Sequence, residues 1–167
     1  MSENPRYFLS REFFVVVLFV TMLFVPRISA DVRLPAIIGD DMVLQQGKRV
    51  PIWGWAEPGE MVTVGVSWHS MKWGVTAGDD GKWKFDMKAP EVGGPYEMTF
   101  SAGNTVTVKN ILVGEVWVCS GQSNMQWPVQ RSADAEQEIA AADYPKIRLF
   151  SVTRTVADEP QEDCVGK

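Results

Sequence analysis

Short runs of alternating hydrophobic and polar residues, separated by turn-forming residues, fill the chain from residue 31 to about residue 113. This period-two pattern is typical of β-strands with one buried face. Residues 50–56 and 61–66 flank Pro58-Gly59, which predicts one hairpin. Residues 71–77 and 82–87 flank the Gly78-Asp79-Asp80-Gly81 turn, which predicts a second, because Asp and Gly tolerate the positive φ of tight turns.

A third pair of strands is predicted at residues 96–101 and 105–113, around Ala102-Gly103-Asn104. Six or more strands at spacings of about ten residues favour an antiparallel β-sandwich. No helical periodicity competes with this pattern. We therefore predict a mostly β fold with a sandwich domain over residues 31–112.

The pattern changes at residues 111–119, which are almost continuously apolar, as in a strand covered on both faces of a parallel sheet. Residues 120–124 follow the carboxyl end of that strand, where α/β sheets bind ligands. Residues 132–142, capped by Ser132 or Asp134, predict a helix, and residues 147–152 a further short strand. Residues 113–167 are thus predicted to begin an α/β domain that is incomplete in this chain.

Residues 1–30 resemble an export signal rather than a fold element. Arg6 and Arg11 precede an apolar run at 13–25, and Ala30 offers a small residue before a cut. A helix of that run spans about 20 Å against a hydrocarbon core of ~30 Å. We expect a cleaved signal peptide, a secreted or periplasmic protein, and no stable membrane span after cleavage. An uncleaved amino-terminal anchor is the alternative, since Glu12 and Arg27 flank the run.

Charge and composition exclude some partners. The chain has 16 Lys and Arg against 21 Asp and Glu, and the positive charges are scattered, so nucleic acid is not an expected partner. With 46% hydrophobic residues a packed core is expected. The single histidine, His69, is expected at the surface or on an edge strand. Neither a metal nor a cofactor is predicted, and the oligomeric state is left open.

Ser123 is the candidate nucleophile, because Gly121 lies two residues before it at a predicted strand end, where the backbone has to turn sharply. Met125 replaces the second glycine of the Gly-x-Ser-x-Gly elbow, so an ordinary turn serine is the competing interpretation. Glu115 is either a second catalytic group or a structural carboxylate.

The run at residues 113–128, VGEVWVCSGQSNMQWP, resembles the first conserved block of the sialate O-acetylesterases of the SGNH hydrolase superfamily. Further stretches similar to the same family are residues 34–35, 42–46, 50–56, 81–83, 138–140, 144–145 and 147–150. The resemblance implies a β-sandwich followed by a hydrolase domain, with Ser123 as nucleophile and its backbone N–H as an oxyanion donor. The residues assigned to the oxyanion hole and pocket are Gly121, Gln122, Asn124 and Trp127.

That family resemblance implies a carbohydrate esterase that removes O-acetyl groups from sialic acid or other sugars, with an acetylated carbohydrate as substrate. The family's base is a histidine in an Asp-x-x-His block, which this sequence lacks, so we expect a truncated chain that is inactive alone. Two alternatives stay open: a non-catalytic carbohydrate-binding sandwich, with Trp53, Trp55 and Trp83 as sugar contacts or core residues, and a non-functional gene fragment.

Overall fold

The structure is a computed structural model that describes residues 31–166, so the predicted signal peptide at 1–30 lies outside the described residues. The described chain is mostly β, as predicted. Each predicted run between residues 50 and 113 forms a strand, because its apolar residues alternate and so share one buried face. The strands are β1 (Val43–Gln45), β2 (Arg49–Trp55), β3 (Met61–Val66), β4 (His69–Thr76), β5 (Lys82–Lys88), β6 (Gly93–Ser101) and β7 (Thr105–Gly114).

The strands form a curled five-stranded sheet, in the order β1-β7-β6-β3-β4, and a two-stranded sheet of β2 and β5. Most pairs are antiparallel, but β1 runs parallel to β7, with Val43 opposite Leu112. The prediction of a purely antiparallel sandwich is therefore wrong in this respect. Every other strand lies between β1 and β7 in the chain, so no tight turn forces these two strands to be antiparallel.

The pairing of the strands differs from the predicted hairpins. Only the β6–β7 pair is confirmed, closed by Ala102 N–H donating to Asn104 O at 2.9 Å. β2 pairs with β5, whereas β3 pairs with β4 and β6. The Pro58-Gly59 turn carries the chain from the small sheet to the large one. A turn motif reverses the chain direction, but it does not choose the partner strand.

The hydrophobic core lies between the two sheets. The indole of Trp83 on β5 is 2% exposed and packs against fully buried Phe100 on β6, with ring centroids 5.7 Å apart. Gly54 on β2 makes room for this indole, since a Cβ there would lie 2.8 Å from Trp83 Cζ2 and 2.3 Å from Arg33 O. The other buried hydrophobic residues are Val32, Ile38, Leu44, Ile52, Val62, Val64, Val66, Ala77, Met87, Ala89, Met98, Val108, Ile111 and Val113.

The predicted α/β unit is not formed within residues 115–166. β7 ends at Gly114, and residues 116–119 are exposed rather than a buried strand. A strand of an all-parallel sheet is covered on both faces, and the described chain supplies no such cover here. The predicted strand at 147–152 is reduced to one bridge between Val152 and Gly166. The predicted helix forms as α1 (Ala135–Ala141), with Asp134 at its N-cap position but without a side-chain capping bond.

Polar contacts hold the end of the described chain against the β-strands. Asp163 accepts a hydrogen bond from Ala36 N–H at 2.9 Å, and Lys82 pairs with Glu162. Arg148 lies 3.2 Å from Asp41. Exposed ion pairs of this kind stabilise little, so they position the segment rather than bury it. Among residues 31–166 no helix is long and apolar enough to cross a bilayer.

Candidate functional site

Ser123 begins a short 3-10 turn, Ser123–Gln126, on the exposed surface. Within residues 31–166 neither its hydroxyl nor its backbone N–H has a hydrogen-bond partner. The first N–H groups of a helical turn have no acceptor inside the turn, so they are available to an outside oxygen. The hydroxyl is therefore accessible to a substrate, but no described side chain activates it.

The other predicted site residues, Gly121, Gln122, Asn124 and Trp127, lie on the same exposed segment. Gly121 packs against Met125, because a Cβ at residue 121 would lie 3.0 Å from Met125 Cγ. The indole N–H of Trp127 donates to Arg131 O at 3.2 Å, which turns the ring toward the second 3-10 turn, Val129–Arg131. The five residues are neighbours along the chain, and the described residues do not enclose them in a cleft.

Apolar side chains around Ser123 lack cover. Fourteen of the eighteen exposed large hydrophobic residues in the described chain lie beyond residue 115, so this segment adds nothing to the buried hydrophobic core. Trp117 is 83% exposed, Val118 92% and Leu149 86%. Where such side chains form one contiguous patch, they are typical of an interaction surface. The segment around Ser123 is as rich in large apolar residues as a protein interior, but no described residues cover them.

Limited trypsin digestion is expected to cleave the 167-residue chain after Arg131 and Lys146 first, while residues 31–114 persist. Both sites lie in the exposed segment, which few buried contacts hold in place, whereas the lysines of β5 belong to a paired strand. Mass spectrometry of the time course identifies the cuts. Simultaneous cleavage inside β5 would show that the sheets are no more stable than the segment.

Glu115, the other catalytic candidate, makes structural hydrogen bonds between β1 and the chain that leaves β7. Its carboxylate accepts hydrogen bonds from Gln45 Nε2 at 2.9 Å and from Gln46 Nε2. These bonds favour the ionised form and lower the pKa of Glu115. Gln45 Oε1 also accepts from Val116 N–H at 2.9 Å. Glu115 therefore ties the chain leaving β7 to the end of β1, and within the described residues it makes no hydrogen bond to Ser123.

His69 begins β4, an edge strand, and is exposed, as the sequence predicts. Its Nδ1 accepts a hydrogen bond from Met71 N–H at 2.9 Å, and its ring lies 5.3 Å from that of Trp73. No hydrogen bond among residues 31–166 links it to Ser123. Because it is the only histidine in the sequence, no imidazole is hydrogen-bonded to Ser123 within the described residues.

The tryptophans proposed to contact sugars occupy different positions. Trp83 is core, which excludes it as a ligand contact, and Trp55 lies under the Arg33 guanidinium, 3.7 Å from the ring centroid. Trp53 is half-buried against the core. Sequence reasoning missed a cluster of Trp68, Trp73 and Phe85 at the open edge between the sheets. The aromatic residues near Trp68 and His69 in the sequence were the signal that could have indicated this cluster. Their meeting in space, however, depends on how closely β4 and β5 approach each other.

Comparisons with known proteins identify the relationship. Proteins named sialate O-acetylesterase match at 35% identity over 145 residues in Pongo abelii and in Homo sapiens, and at 34% over 160 residues in Rattus norvegicus. The chain is a homologue of the sialate O-acetylesterases. The matches take in 80–87% of this chain, which spans only 28–30% of the length of these relatives. The predicted family resemblance is confirmed.

A solved structure supports the same relationship. The crystal structure of a carbohydrate acetylesterase from Xanthomonas citri matches with a TM-score of 0.75 and 34% identity, over 81% of this chain and 31% of that chain. No protein-family model matches the chain. The alignments with the orangutan, human and rat proteins leave at most a fifth of this chain unaligned. Ser123 lies more than a fifth of the chain length from either end of the sequence. A contiguous aligned stretch therefore includes Ser123.

Proposed function

We propose that this homologue supplies the nucleophile segment of an exported carbohydrate esterase that removes O-acetyl groups from sialic acid or other sugars. The observation that carries the proposal is the homology to sialate O-acetylesterases over a stretch that includes Ser123. The accessible Ser123 hydroxyl supports it, because a nucleophile has to reach the ester carbonyl. Export rests on the signal pattern of residues 1–30 alone.

In the proposed reaction Ser123 Oγ attacks the acetyl carbonyl while a base takes its proton. The carbonyl oxygen becomes an oxyanion. We propose that the backbone N–H of Ser123, which has no hydrogen-bond partner within residues 31–166, donates to it. Each such donor contributes about 3 to 4 kcal/mol to transition-state stabilisation. The sugar hydroxyl then leaves with a proton, and water hydrolyses the acetyl-serine to acetate. The base has to come from protein that packs against residues 115–152, the same surface whose apolar side chains lack cover.

A chimera tests the proposal. Residues 31–166 replace the matching part of the Xanthomonas citri carbohydrate acetylesterase, so that the rest of that enzyme covers the exposed segment. We expect the chimera to hydrolyse 4-nitrophenyl acetate and acetylated sugars, whereas the 167-residue chain alone does not, since a base is missing.

The control for the chimera is a measurement of its cooperative unfolding, which shows that it has folded. A cooperatively unfolding chimera with no acetylesterase activity would count against the proposal. Hydrolysis by the 167-residue chain alone, at a rate comparable to the chimera, would show that no further residues are needed and would overturn the account of the missing base.

A further inference from the structure

An open hollow of about 600 Å³ lies where the edge strand β4 of the large sheet approaches β5 of the small sheet. We call it the aromatic hollow, after the rings that line it: Trp68, His69, Trp73 and Phe85. Its volume falls within the ~300–1,000 Å³ range of small-molecule sites. Its lining residues all lie between residues 49 and 91, so it is separate from the Ser123 segment.

Two groups of ring contacts line the hollow. Trp73 stands between two neighbours, with centroids 5.3 Å from His69 and 5.4 Å from Phe85. Trp68 is held edge-on by Tyr96 at 5.1 Å. The indoles are only half-buried, and within residues 31–166 neither the Trp68 nor the Trp73 N–H has a hydrogen-bond partner. Apolar ring faces beside unused donors suit a ligand that has both C–H faces and hydroxyl groups.

The charged residues around the hollow define the ligand further. Arg49 and Lys88 are balanced by Asp86 and Glu91, so the hollow has no net charge. None of the four forms an ion pair with another described residue. Arg49 Nη2 is fixed by donating to Asp86 O at 2.8 Å, which leaves its other N–H groups for a ligand. Balanced charges give no advantage to an anion, while separate donors and acceptors match the hydroxyls of a sugar.

From this juxtaposition we infer that the aromatic hollow binds a neutral oligosaccharide, whose pyranose faces stack on Trp73 and whose hydroxyls bond to the charged rim. The inference goes beyond the proposed esterase, because it holds whether or not Ser123 is a nucleophile. In an esterase of polymeric or cell-surface glycans, such a second site would hold the chain of sugars while the acetyl group is removed elsewhere.

Saturation-transfer NMR and calorimetry with the 167-residue chain test the inference, using cellotetraose as the neutral probe and 3′-sialyllactose as the anionic one. We expect saturable binding of cellotetraose and weaker binding of sialyllactose. Trp73→Ala is expected to weaken cellotetraose binding about tenfold through loss of the stacked face. Lys88→Ala, on an exposed side chain, is expected to weaken it about threefold through loss of a hydroxyl contact.

Trp117→Ala is the matched control, because Trp117 is exposed and lies outside the hollow. That variant and Ser123→Ala should bind cellotetraose as the unmodified chain does. If Trp73→Ala fails to fold, Lys88→Ala decides. The inference would be overturned if cellotetraose did not bind or if sialyllactose bound more tightly. It would also be overturned if Lys88→Ala, and Trp73→Ala where that variant folds, bound cellotetraose with unchanged affinity. Binding of an extended apolar peptide to the hollow, without binding of the sugar, would overturn it as well.

Discussion

Ser123→Ala is expected to lower kcat/KM of the acetylesterase chimera by about 10⁴-fold or more. In the proposed mechanism the Ser123 hydroxyl forms the acyl-enzyme, and water bound in its place lacks the covalent step. The backbone N–H at residue 123 survives the substitution, so binding and part of the oxyanion stabilisation should remain. Hydrolysis of 4-nitrophenyl acetate, with active-site titration to count competent molecules, measures the loss.

Ser132→Ala provides the matched serine control, because Ser132 is also exposed and lies at the end of the second 3-10 turn. Its kcat/KM should stay within about twofold, as expected for a surface substitution away from the reacting atoms. If Ser123→Ala keeps more than a small fraction of the activity, the nucleophile lies elsewhere and the proposed mechanism fails.

Trp83→Ala is expected to lower the free energy of unfolding by about 3 to 5 kcal/mol, the range for removal of a large core aromatic side chain. Trp83 fills the space between Phe100 and Gly54 at the centre of the two sheets, and the backbone strands around it cannot collapse into the gap. Domains of this size have a total stability of about 5 to 15 kcal/mol, so the substitution should remove a large share of it. Urea titration followed by circular dichroism measures the change.

Trp117→Ala again serves as control, since it removes the same side chain from a site that is 83% exposed. Its effect on the unfolding free energy should stay within about 0.5 kcal/mol. Equal destabilisation by the two substitutions would mean that Trp83 is not a core residue and that the arrangement of the sheets is wrong.

Local pattern was sufficient for the strands. Alternation with period two located β2 to β7, since the residues of each strand share one buried face whatever the partner strand is. It could not give the partners. The turn at Pro58-Gly59 reverses the chain equally well in a hairpin and in a crossing between sheets. The pairing of β2 with β5 puts Gly54 directly opposite Trp83 and leaves Ile52 and Trp83 buried in the same core.

At the candidate site, too, some features follow from the local sequence and others only from the tertiary structure. The motif at residues 121–127 and the absence of a second histidine are properties of the sequence, and they were sufficient to suggest both the nucleophile and the missing base. The apolar run at 111–119 is a strand only as far as Gly114, because apolar composition shows only that a segment requires cover. Whether Val118 is buried depends on which surfaces reach it, and in the described chain none does.

The sequence by itself determined where strands form, which serine is the candidate nucleophile, and the relationship to the sialate O-acetylesterases, because each depends on residues that are close together in the chain. Only the tertiary structure decided the parallel β1–β7 pair, the end of β7 at Gly114, the exposure of the Ser123 segment and the aromatic hollow. These features depend on contacts between residues far apart in sequence, and such contacts are fixed by packing across the two sheets rather than by any local pattern.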